Sequence, residues 1–423
     1  MPVSAYDAHV RIIDRPCGSG KTTNLLRSFD AHKRYLVVVP LLTEVERVIE
    51  QACVPFTQPT ADENYGTKRD SLEALLRRRQ NVVTTHALFQ EIASLARAGL
   101  MDGYDIIVDE VPNVLATIGD ISRQSLDDIY VSGGYVTIED DGQVVPTQKW
   151  HEDHELVSDT LPERLYQLAS SGSLYVVNHT FLLWALPKEL ITAGRSFTVL
   201  TYLADGSLLV AYLDKNEIPY VHDRDQELEL EHRQRAAELI EIRDMPRLKG
   251  VRLSYTGQTT SGPRVAKQVS GALLGLRRGD LKDVPLEDVL ITCAKSSWYL
   301  NGKGPDDVAW PKQGPFAKGS KLSSDVTWIP NTTRGTNEYA HASHLIYLYD
   351  QFPNPAYLAF LGKPGDRGLQ DRYALAELIQ VIYRTRVRKG EKVVVHVPSP
   401  RMRKLLEAYL AGEDLPQALA LAA

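Results

Sequence analysis

The stretch Arg15, Pro16, Cys17, Gly18, Ser19, Gly20, Lys21, Thr22, Thr23 carries residue types and spacing suited to a polyphosphate. Gly18 and Gly20 let backbone N–H groups turn toward phosphate oxygens with no Cβ in the way, and Ser19 and Thr23 lie in the same cradle. The Lys21 ammonium reaches the terminal phosphates, and the Thr22 hydroxyl is a ligand for Mg²⁺. Further along, the apolar run 104–108 ends in Asp109 and Glu110. In that place Asp109 holds the Mg²⁺ and its water shell, and Glu110 polarises an attacking water. Together the two stretches suit hydrolysis of a nucleoside triphosphate, with ATP and Mg²⁺ as the expected ligands.

Such residues need rigid elements beneath them. The apolar run Val10–Ile13 precedes the glycine loop and a helical pattern follows it, so strand, loop and helix come in the order a phosphate site requires. The new helix adds its positive end to the loop. The continuous apolar run 35–40 reads as a buried parallel strand, followed by Thr43 and a helix over 44–53. Residues 81–86 read as another strand, ending in Thr84, Thr85 and His86. Tyr135–Glu139 and 143–145, joined by Asp140, Asp141 and Gly142, predict a hairpin in an insertion near 118–160. A helix is expected through Trp184 and Leu190, then a strand over 197–201. His151 and His154 flank Glu152 and Asp153, but a third and fourth metal ligand are not evident.

The strongly charged residues 216–250 read as a linker or bracing helix. From 251 the α/β rhythm returns, with strand-like runs at 288–293, 325–329, 344–349 and 392–397. Lys303, Trp310, Lys312, Phe316, Lys318 and Lys321 interleave cations with aromatics, a pattern that either stacks on bases or forms a surface loop. The expected architecture is therefore α/β, with one domain over 1–215 and a second over 251–423, each a mostly parallel sheet flanked by helices.

A chain of 423 residues exceeds what a single core usually supports, in line with that division. The net charge of −6 gives no general attraction to nucleic acid, so any such binding must come from local basic surface. No basic-then-apolar leader and no membrane-spanning run are visible, which predicts a cytoplasmic protein of a bacterium or virus-infected host. Cys17, Cys53 and Cys293 lack metal-ligand spacing and are expected as reduced thiols.

The loop ending in Gly18, Ser19, Gly20, Lys21 and Thr22 resembles motif I of superfamily 2 DEAD/DEAH-like helicases, with Arg15 where alanine is usual. Asp109 and Glu110 resemble the Walker B pair of that family. Gln380 and Arg384 resemble motif VI, which departs from the family at Tyr383, where glycine is usual, and at Val387, where a second arginine is usual. Thr43, Thr85 with His86, Thr201, the 288–293 run and Thr333 to Asn337 resemble motifs Ia, Ib, III, IV and V in order. The resemblance is to the compact helicases carried by phages and mobile elements. It implies two tandem RecA-like P-loop domains with ATP between them. It places Lys21, Asp109, Glu110, Gln380 and Arg384 in catalysis, and Gly335, Asn337, Arg384 and Arg388 on nucleotide. Thr43, Thr85, His86, Thr333 and Arg334 fall on nucleic acid, DNA before RNA, with replication or repair proteins as further partners. Two other readings stay open: a viral DNA-packaging (terminase-like) ATPase, and a helicase-like binding module without turnover.

Overall fold

The computed structural model describes residues 9–62, 66–154, 160–300, 312–322, 325–332 and 338–413. The chain forms two α/β units. One takes the chain up to Asp14, Gly20–Arg224 and Asn354–Asp366; the other takes Arg15–Ser19, Asp225–Pro353 and the chain from Arg367 onward.

The first unit is built on β1 (Val10–Asp14), β2 (Arg34–Val39), β3 (Val82–Thr85), β4 (Tyr104–Asp109), β5 (Ser196–Thr201) and β6 (Tyr220–Arg224). They form a six-stranded sheet in the order β6-β1-β5-β4-β2-β3, and every neighbouring pair is parallel. A parallel sheet is covered on both faces, which is why β2 reads as an unbroken apolar run and is buried from Tyr35 to Val39. Helices α1 (Lys21–Arg27), α2 (Leu42–Gln51) and α3 (Lys68–Arg77) follow β1 and β2. Leu26 of α1 and Val45 and Val48 of α2 pack onto Val37, Val39, Ile107 and Leu200. Complete burial of each such side chain contributes about 1.5–3 kcal/mol. A reciprocal Thr67–Asp70 capping box fixes the start of α3.

Between β4 and β5 the chain makes an excursion with its own core, which includes Leu126, Tyr130, Trp150, Leu165, Leu174 and Leu182. The hairpin over 136–146 is part of it: Val136–Ile138 pairs antiparallel with Val144–Pro146, and Gly142 takes φ +88° in the turn. The helix expected through Trp184 is instead the strand Phe181–Ala185, antiparallel to Leu174–Val177. Asn178 and His179 both adopt left-handed backbone, at φ 50° and 55°. This is the turn geometry that reverses a chain into a hairpin.

The second unit is built on β7 (Ile240–Arg243), β8 (Val289–Thr292), β9 (Thr327–Trp328), β10 (His344–Tyr347) and β11 (Val393–His396). This five-stranded sheet has the order β7-β11-β10-β8-β9 and is parallel throughout. Helices α4 (Gln226–Leu239), α5 (Pro263–Arg278), α6 (Arg367–Ile382) and α7 (Pro400–Leu410) accompany it. Val269 and Leu273 of α5 pack with Val289, Ile291, Trp298 and Ile346. The charged residues 216–250, read from composition as a linker or bracing helix, carry the helix α4 between β6 and β7, one strand of each sheet. Among the described residues, no helix is long and apolar enough to cross a membrane.

Candidate phosphate and metal site

Because the first sheet is parallel, Asp14, Val39, Thr85, Asp109 and Thr201 all end their strands on one edge. The chemistry of the unit gathers there. Gly18 and Gly20 take φ +80° and +77°, which side chains with a Cβ rarely adopt. Gly20 is the N-cap of α1 and accepts from Asn24 N–H at 2.8 Å. The Ser19 hydroxyl is buried and makes no hydrogen bond within the described residues.

The structure brings Thr22 and Asp109 together from positions 87 residues apart: the Thr22 hydroxyl donates to Asp109 Oδ1 at 3.0 Å and Oδ2 at 3.1 Å. Asp109 is 8% exposed. Burial and the adjacent Glu110 carboxylate raise its pKa to about 6, against the opposing pull of Lys21, Thr22 and Arg47. Arg47 on α2 places Nη2 3.9 Å from Asp109 Oδ2 and Nη1 2.9 Å from Glu44 Oε2. Sequence reasoning passed over Arg47; its only signal was a cation one turn into the helix after β2.

Glu110 sits in left-handed backbone at φ 64°, and its N–H donates to Leu200 O at 2.9 Å. A non-glycine residue held there costs on the order of 1–3 kcal/mol, and such strain concentrates at functional positions.

His86 was expected on nucleic acid. Its Nε2 lies 2.9 Å from the Asp109 carbonyl oxygen. A carbonyl only accepts, so Nε2 carries the proton and the ring steadies the end of β4. Thr85 accepts from Leu88 N–H and caps the helix His86–Gln90, whereas Thr43 is exposed at the start of α2.

Asp14 ends β1 one residue before the loop and was also passed over. Its carboxylate accepts from Leu203 N–H and Ala204 N–H, both at 2.9 Å, and from His222 Nε2 at 3.0 Å. His222 Nδ1 lies 3.4 Å from Asp205 Oδ1, and Asp205 also takes Arg224 at 2.9 Å. Burial works against a charged His222 ring, yet its hydrogen bonds to Asp14 and Asp205 outweigh this and raise the pKa to about 9.

In the second unit, Gln380 at the end of α6 and Arg384 just beyond it are 7% and 5% exposed, while Arg388 is exposed. Tyr383, where glycine was expected, stacks on His232 of α4 with ring centroids 4.7 Å apart. Thr333, Arg334, Gly335 and Asn337 lie outside the described residues, as do Lys303 and Trp310. Phe316 is fully buried and packs in the core of this unit, which removes it from any base-stacking role. His151 bonds to Tyr166 OH at 2.7 Å and His154 pairs with Glu163 at 2.8 Å. Among the described residues, no group of three or more His, Cys, Asp or Glu is placed to hold a metal ion.

Comparison with known proteins agrees with this architecture. Residues 234–410 match the family described as the YonV C-terminal Rossmann-like domain. Over 433 aligned residues the chain is 26% identical to the SPbeta prophage-derived uncharacterized protein YonV of Bacillus subtilis (strain 168), covering 96% of this chain and 99% of that protein. A solved structure titled XPD helicase superposes with a TM-score of 0.50 at 14% identity, covering 96% of this chain and 95% of that one. Xpd4 of S. tokodaii gives 0.45 at 12% identity, covering 97% and 95%. The likeness to the XPD helicase is one of fold: two α/β units, each with a parallel sheet.

Proposed function

We propose that the protein is a nucleic-acid-dependent ATPase of the helicase or translocase kind, acting on DNA before RNA. The observation that carries this reading is the contact of Thr22 with Asp109, one residue from the glycine loop and the other from the acidic strand end. The residues present fit Mg²⁺ and a polyphosphate: a hydroxyl and a carboxylate meet, the buried Ser19 hydroxyl makes no hydrogen bond within the described residues, and two glycines hold the loop in left-handed backbone. Thr22 and Asp109 would hold the ion, which when bound neutralises charge on the phosphate oxygens.

Lys21 binds the terminal phosphates. Glu110 orients a water and takes its proton as the water oxygen bonds to the γ-phosphorus. The bond from that phosphorus to the bridging oxygen breaks, and ADP and phosphate leave. Arg47 attracts the Asp109 carboxylate and the His86 ring holds its carbonyl. Gln380 and Arg384 are assigned to the γ-phosphate by the family resemblance. The packaging reading would need a nuclease centre of clustered acidic metal ligands, and the described residues lend it no support.

Linkage supplies a test. A non-hydrolysable ATP analogue is expected to change the affinity for a labelled single strand by roughly 5- to 150-fold, as coupled sites do. Unchanged affinity across the whole titration would remove the coupling on which a translocase depends.

The buried acid also predicts a stability effect. Asp109 binds its proton more tightly in the folded protein, at about 6, than an ordinary aspartate at 3.8. That contribution is complete below the unfolded value and lost as pH rises through about 6. Asp109→Asn is therefore expected to stabilise the Mg²⁺-free protein by up to about 3 kcal/mol at about pH 8 while abolishing turnover. Thermal melts in chelator across pH check it; an unchanged or lowered Tm at high pH would contradict the assigned burial cost.

A further inference from the structure

We propose that Tyr255 and Phe352 form a stacking platform for the bases of a single nucleic-acid strand, at the C-terminal edge of the second sheet. This rests on the nucleic-acid reading above and adds to it a contact with bases rather than phosphates. Tyr255 is 66% exposed and Phe352 41% exposed. Neither sits on a loose margin. Asp350 N–H donates to Leu253 O at 3.0 Å, tying the two segments together just beyond β10. The buried Gln258 amide donates to Leu253 O at 2.8 Å and Leu348 O at 2.7 Å, and its oxygen accepts from Ala294 N–H at 2.9 Å. Both aromatic residues therefore project from backbone locked to β10 and to the residues after β8.

The Phe352 ring is also held in place. The Arg401 guanidinium lies over it, 4.1 Å from the centroid. That guanidinium is fixed by Asp371 at 2.7 Å, Asp350 at 3.0 Å, and the carbonyls of Gln351 and Gln370 at 2.8 and 3.2 Å. With Arg401 over one face, the ring is held in place while 41% of the residue stays exposed. Tyr255 opens a short helix whose start is fixed by Ser254, which accepts from Gly257 N–H. Aromatics presented rigidly lose little side-chain freedom on binding.

The local charge favours a strand over an apolar protein surface. Arg252, three residues before Tyr255, and Lys295, next to the Ala294 that Gln258 holds, are exposed, and Arg401 offsets one of the two carboxylates, Asp350 and Asp371, with which it pairs. Cations beside exposed rings suit an unpaired strand, and each stacked base strengthens binding roughly five- to hundredfold.

An abasic oligomer retains the phosphates and lacks the bases, so it separates the two kinds of contact. Fluorescence anisotropy would compare a labelled oligothymidylate with an abasic strand of the same length. The wild type is expected to prefer the oligothymidylate by roughly tenfold or more. The Tyr255→Ala/Phe352→Ala variant is expected to bind both strands alike, near the wild-type affinity for the abasic one. Tyr255→Phe and Phe352→Tyr should keep the preference. Equal binding of both strands by the wild type, or a preference surviving in the double alanine variant, would overturn the platform and leave the rings to a protein partner. Loss of both strands together in the double variant would also overturn it, pointing to a general structural role. Wild-type protein that binds neither strand would instead defeat the nucleic-acid reading itself.

Discussion

Lys21→Ala is expected to lower Mg²⁺-ATP hydrolysis by roughly 10²- to 10³-fold, the usual consequence of removing one preorganised charge-stabilising group. Lys21 opens α1 immediately after the left-handed Gly20. It is placed there to meet charge that grows on the phosphoryl oxygens as the bond to phosphorus breaks. The side chain is only partly buried, so the change should leave the melting temperature nearly intact and separate catalysis from folding. Glu110→Gln makes the complementary case. It keeps the shape of the side chain and its strained backbone while removing the proton acceptor, so nucleotide should still bind but turn over roughly 10²- to 10⁴-fold more slowly. Steady-state hydrolysis beside equilibrium binding of a fluorescent ATP analogue checks both. Wild-type turnover in either variant would contradict the assigned roles.

Asp14→Ala is expected to destabilise the first unit strongly. The carboxylate is 7% exposed and satisfies two backbone N–H groups and a charged His222 ring. Its removal leaves the buried Ala204 N–H and the part-buried Leu203 N–H and His222 ring without this acceptor, at a cost of about 3–5 kcal/mol. For a unit of this size, that corresponds to a fall in Tm of roughly 6–20 °C. The loop should also lose activity, because Asp14 anchors the end of β1 directly before it. The pair carries a pH signature. His222 has a folded pKa of about 9 against an ordinary histidine's 6.5, so its contribution is complete below 6.5 and lost as pH rises through about 9. Wild-type stability should therefore decline across that window by up to about 3 kcal/mol. In His222→Gln this part of the decline should vanish. Parallel melts of the two proteins over that range test it, and identical slopes would show that the ring is not charged in the folded state.

What could be read in advance follows the physics of each element. Strands β2 and β4 are buried on both faces and had to be written as apolar runs, so their class and order were legible. The glycine loop was legible because few arrangements other than a phosphate cradle use Gly18, Gly20, Lys21 and Thr22 at that spacing. Contacts between distant positions were not. Asp14 and His222 are 208 residues apart, and nothing local marks either as the partner of the other. Residues 181–185 are apolar enough to suit helix or strand, and the left-handed turn at Asn178 and His179 decides between them. Phe316 beside its lysines suited either a base-stacking ring or a surface loop, but neighbours from the helices and strands of the folded unit bury it. Tyr255 and Phe352 carried no signal, because their exposure depends on the Gln258 and Arg401 networks, which exist only in the folded unit.

Steady-state ATP hydrolysis, measured with no nucleic acid, with single-stranded DNA, with duplex DNA and with RNA, tests the central claim most directly. The account predicts slow turnover alone and clear stimulation by one of the polymers, DNA first, with the stimulated rate lost in Lys21→Ala. Turnover indifferent to all of them, or absent with every one, would contradict it.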